Sequence, residues 1–167
     1  MRPIARLGTE LLVSGVGQVV IGLLGLLAGL LLIDEPARAL VAFAVAFVAL
    51  AAVSAYTSRW MRATRPGDAA PDARVEPSSQ TVRRTAVALA LALVVTGIAA
   101  AIGGGLAAVL GGLVAGVGAV DLVNRGWVLS RERETGLTLY RELGRSPFSS
   151  GRRPLYTRPR NDITLAT

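Results

Sequence analysis

The 167-residue chain has no cysteine and no histidine, and all 18 of its basic residues are arginine. Without cysteine there is no disulfide and no thiolate nucleophile. Without histidine as well, the common zinc and haem ligand sets are missing. No G-x-S-x-G and no Walker sequence occurs either. The expectation is therefore a protein that is not an enzyme and carries no metal or cofactor. Aromatic residues make up only 5%, so the net charge of +7 is not accompanied by the aromatic-interleaved platform of a nucleic-acid binder. No nucleic-acid partner is expected. The arginine-only basic set, in an Ala/Gly/Val-rich chain, reads as the codon signature of a GC-rich bacterial genome.

What the chain has in quantity is uncharged apolar sequence. Hydrophobic residues make up 52% and the mean hydropathy is +0.53. They are gathered in blocks rather than spread along the chain, which points to a bilayer as their solvent. From Thr85 to Val120 there are 36 residues without a charge, with Gly103, Gly104 and Gly105 in the middle. As one helix they would run about 54 Å, against a hydrocarbon core about 30 Å thick. Broken at the glycines, they make two crossings back to back. Residues 11–33 are likewise uncharged, and 15 of these 23 are Leu, Ile or Val. Such a set favours insertion by about 4–9 kcal/mol. The run is too long for the apolar region of a signal peptide, and no small-x-small cleavage site precedes Asp34. Pro36 separates it from a further apolar run at 39–58, closed by Tyr56 and Trp60 as interfacial aromatics.

The expected fold is all-α, with four transmembrane helices arranged as two hairpins at about 11–33, 39–58, 85–102 and 105–129. Residues 1–145 form the transmembrane domain. A flexible loop at 59–84 carries three prolines and six arginines, and Ser78, Ser79 and Thr81 are candidate caps for the helix after it. The last helix has room to continue to Leu143. Residues 146–167 form a basic tail expected to be extended or disordered. With the N-terminus inside, 17 of the 18 arginines fall on the cytoplasmic side, a strong positive-inside bias. The expected location is the bacterial inner membrane, with both termini cytoplasmic.

Polar residues within or bordering the spans are the candidate site. Gln18 is the one large polar side chain deep in a span, suited to an interhelical hydrogen bond. Asp121, Asn124 and Arg125 cluster near the end of the fourth span. There Asp121 and Arg125 have the favourable order for an ion pair four residues apart. Glu10 is an acid that could approach Asp121 in three dimensions. Small residues recur at three- and four-residue spacing along Gly15, Gln18, Gly22, Gly25 and Gly29, and along Gly104, Ala108, Gly111, Ala115 and Gly118. Such stripes suit close helix packing, within the chain, with itself or with other membrane proteins. Arg152, Arg153, Arg158 and Arg160 suit anionic lipid headgroups or an acidic partner. The leading expectation is a non-catalytic accessory, scaffolding or assembly subunit of a membrane complex. The rival is an oligomeric small transporter or channel using the polar residues.

Overall fold

A computed structural model describes residues 3–69, 73–143 and 154–159. Most of them are helical, in four helices long and apolar enough to cross a membrane. These are α1 (Leu7–Leu32), α2 (Pro36–Ala63), α3 (Ser78–Ile102) and α4 (Gly104–Thr135). Four short strands complete the order: β1 (Ile4–Arg6), β2 (Gly67–Asp68), β3 (Leu137–Glu142) and β4 (Leu155–Pro159).

The helix boundaries follow local chemistry. Pro36 occupies the first turn of α2, where its missing N–H costs nothing. At the other end of α2, the backbone N–H of Thr64 donates to the carbonyl of Trp60 at 2.8 Å. Gly103 alone separates α3 from α4, in extended backbone, its N–H donating to Ala99. Three successive poor helix formers give the chain its place to break. Gly136 ends α4 in the left-handed conformation, φ 68°, which an L side chain adopts only with strain. None of Ser78, Ser79 or Thr81 caps α3. Pro77 holds the cap position without a side-chain bond, and the Thr81 hydroxyl donates instead to Glu76 at 2.8 Å.

The packing order is not the chain order. The closest pairing is between α1 and α4, which run antiparallel; α2 lies on α4 and α3 on α1. Glycine makes the central seam. A methyl group at Gly25 would sit 2.8 Å from the carbonyl oxygen of Ala107, and one at Gly118 would sit 2.7 Å from that of Gly15. Gly22 and Gly29 meet Ala115 and Ala108 in the same way. The two small-residue stripes thus face each other inside one chain. Gly112 and Gly116 instead take the backbone of α2 at Phe43 and Phe47. Close backbone contact at small residues is how helices hold together where apolar surface gains nothing from leaving its solvent.

At one end of the bundle the strands form a sheet in the order β1-β3-β4-β2. β3 is antiparallel to both β1 and β4, while β2 runs parallel to β4. Val75, which lies outside the four strands, makes an isolated bridge to Ile4 of β1. The sheet closes on the bundle through Leu7, Leu11, Met61, Val128, Leu139 and Leu155, with Trp60 and Trp127 packed against them.

Three expectations change here. α4 stops at Thr135, and Leu137, Tyr140 and Leu143, which fit a helical spacing, belong to β3 and the residue after it. The left-handed glycine stops the helix, and the Leu-Thr-Leu-Tyr that follows suits a pleated, half-buried strand. In the tail, the described stretch contains a hydrogen-bonded interior strand, β4; the rest of 146–167 lies outside the described residues. The 59–84 connection is also partly tied down, by β2 and the Val75 bridge.

Candidate functional site

The polar residues of the helices gather where the bundle meets the sheet. Glu10, Ser14 and Gln18 are four residues apart on α1, so they form a ladder on one helix face. Glu10 is nearly buried and accepts a hydrogen bond from an Nη of Arg141 on β3. Arg84 of α3 lies 3.5 Å from both Glu10 and Glu76, an ionic contact without hydrogen-bond geometry, and its Nε is buried and unpartnered. Two acids and two arginines thereby tie α1, α3, β3 and the segment before α3 together. A buried network of this kind is weak evidence of net stability, because desolvation offsets the attraction. Deleting one member is costly.

One turn deeper, the Ser14 hydroxyl donates to Asp121 Oδ2 at 2.8 Å. Glu10, the acid weighed as a neighbour of Asp121, stands one turn before Ser14 on the same helix. Its carboxylate is engaged by arginines rather than by a second acid. Asp121 does not pair with Arg125 among the described residues, and Arg125 Nε is buried without a hydrogen-bond partner. The four-residue spacing allowed that pair, but the neighbouring helix supplied Ser14 instead.

Gln18 lies in the α1–α4 seam, its Cβ beside Gly118. Its Oε1 is buried without a partner, so the expected interhelical hydrogen bond to this oxygen is not made. Asn124, 1% exposed, accepts from Arg62 Nη2 at 3.1 Å and so links α4 to α2. Gln18, Asp121 and Asn124 thus differ in their partners: an unpaired amide oxygen, a bond from Ser14 and a bond from Arg62.

On the sheet, Glu132 Oε1 accepts from the Leu139 N–H at 2.9 Å, and its other oxygen is 3.7 Å from Arg6. Burial raises the Tyr140 phenol above its ordinary value, against the lowering by Arg6 and Arg158. Arg158 lies on β4; Arg152, Arg153 and Arg160 lie outside the described residues.

Clefts open near this layer among the described residues. One of about 430 Å³ lies between the ends of α2 and α4 and the sheet, and is lined by Arg62, Arg65, Trp127, Arg131, Glu134 and Leu155 among others. Two others flank Arg6 with Arg133, and Arg74 with Glu76. Among the described residues no group of three acids could hold a metal ion. Arg84, Arg141 and Glu76 were not singled out in the sequence. Arg84 and Arg141 meet Glu10 from distant parts of the chain, and the readable signal was the four-residue ladder begun by Glu10.

Compared with protein-family models, curated proteins and solved structures, the chain matches none of them.

Proposed function

We propose that the chain is a four-span inner-membrane protein without catalytic activity, acting as an accessory or assembly subunit of a membrane complex. Its spans form two hairpins by connection, with the sheet, the basic connection and both termini on the cytoplasmic side. The observation that carries this reading is the division of the molecule. Its helix interior is filled by glycine and alanine to backbone contact, while its charges are collected at the sheet end in fixed pairs. Arginine at one end and exposed Leu, Val and Ile along the helices support insertion in this sense. The seam glycines are used within the chain, so partners would meet the outer faces of α2 and α3 or the sheet. Native-membrane co-purification of the tagged chain tests this: it should migrate with at least one other protein. A chain always recovered as a lone monomer, with no cross-linked neighbour, would remove the reading.

Gln18 Oε1, buried and unpaired close to the Ser14–Asp121 bond, favours a second reading, an oligomeric transporter or channel. Proteoliposomes would then carry an ion or proton flux above background that Asp121→Asn abolishes. No flux, or one indifferent to that substitution, excludes it.

A further inference from the structure

The cleft between α2, α4 and the sheet holds three guanidinium groups, Arg62, Arg65 and Arg131, against one carboxylate, Glu134. Its volume of about 430 Å³ falls in the range of ligand pockets, roughly 300–1,000 Å³. Arg62 is oriented by the buried amide of Asn124. Arg65 makes no ion pair among the described residues. Arg131 meets Glu134 only at 3.7 Å, with both side chains more than half exposed. A phosphate oxygen pair suits planar guanidinium donors, which can engage it through two parallel hydrogen bonds.

The position of the cleft narrows the ligand. Val123, Trp127 and Arg131 follow at four-residue spacing on one face of α4, so that face passes from apolar to amphipathic to cationic toward the sheet. Val123 is 62% exposed. Leu139 and Leu155 of the sheet also line it. This sequence of surfaces matches acyl chain, glycerol and phosphate in turn.

We infer that the cleft of Arg62, Arg65 and Arg131 binds the phosphodiester of an anionic phospholipid whose chains lie along Val123 and Trp127. The inference rests on the membrane reading above and adds to it a defined headgroup site. A zwitterionic headgroup is disfavoured, because its cationic end would meet a lining with a net positive charge.

The chain has two tryptophans, so Trp60→Phe leaves Trp127 as the sole reporter. This variant, full length, is reconstituted in phosphatidylcholine vesicles containing brominated phosphatidylglycerol, and quenching of Trp127 reads the occupancy. Occupancy by the anionic lipid should exceed its bulk fraction, and Arg65→Gln with Arg131→Gln should weaken the preference by about fivefold per arginine, the effect of one basic side chain near an anionic surface. Arg59→Gln, on the same helix end but outside the cleft lining, should leave it within twofold. Soluble glycerol phosphate in the buffer should not compete.

No preference for the anionic lipid, or equal loss in Arg59→Gln, would overturn the inference. Competition by glycerol phosphate would also overturn it and make the ligand a free phosphate ester. Protein that fails to float with vesicles contradicts the membrane reading itself, while protein that floats without preference contradicts the headgroup site alone.

Discussion

At the scale of single residues, the sharpest contrast is between two glycines in helices. Gly22 has no room for a side chain: a methyl there would come 2.5 Å from the carbonyl oxygen of Gly111 and from Ala115 Cβ. At Gly97 a methyl group would meet nothing within 4 Å. Gly22→Val should therefore destabilise the bundle by about 1–3 kcal/mol, the usual cost of overpacking. Gly97→Ala should be neutral or stabilising by up to about 1 kcal/mol, from helix propensity. Unfolding in mixed micelles, followed by circular dichroism, separates the two; equal effects would mean that α1 and α4 do not meet through this face. Arg62 offers a second test. Arg62→Ala leaves the buried Asn124 amide oxygen unpaired, at about 1–3 kcal/mol. Adding Asn124→Leu should recover part of that loss, because the unpaired group is then gone. If the double variant is no more stable than Arg62→Ala, the link between α2 and α4 is not the reason for the cost. The stripes of Gly15 and Gly104 onward were legible because small-residue spacing maps directly onto one helix face. The Asp121 partner was not, since spacing within one helix ranks Arg125 and says nothing of Ser14 from another.

At the scale of elements, the helices were legible and the sheet was not. An uncharged run of 20 or more residues is a strong signal, and its boundaries at Pro36 and Gly103 follow from residues with poor helix chemistry. The strands hold three, two, six and five residues, too few for alternation to emerge. Their pairings join distant parts of the chain, such as Ile4 with Glu142 and Gly67 with Tyr156. β4 lies inside the sheet, between β3 and β2, and it brings Leu155 into the core that joins sheet and bundle. Ending the chain after residue 153 removes β4 and should lower the thermal midpoint and expose the sheet end to protease. Unchanged stability of that truncation would show that β4 contributes nothing to holding the sheet on the helices.

At the scale of the whole molecule, one end does nearly all the polar chemistry. The sheet, the network of Glu10, Arg84, Glu76 and Arg141, and the arginine cleft share that end, while the far end carries only the exposed Glu35–Arg38 pair among the ion pairs of the described residues. The proposed membrane placement turns this polarity into a direction, with the sheet end cytoplasmic. The native chain has no cysteine, so a single introduced thiol reports its own side without interference. The most direct measurement labels Glu35→Cys and Gly67→Cys variants with a membrane-impermeant maleimide, in intact cells and in inverted vesicles. The account predicts that the Glu35→Cys variant reacts in cells and the Gly67→Cys variant reacts in inverted vesicles alone. Labelling of both from the same side, or recovery of the protein in the soluble fraction, would contradict it.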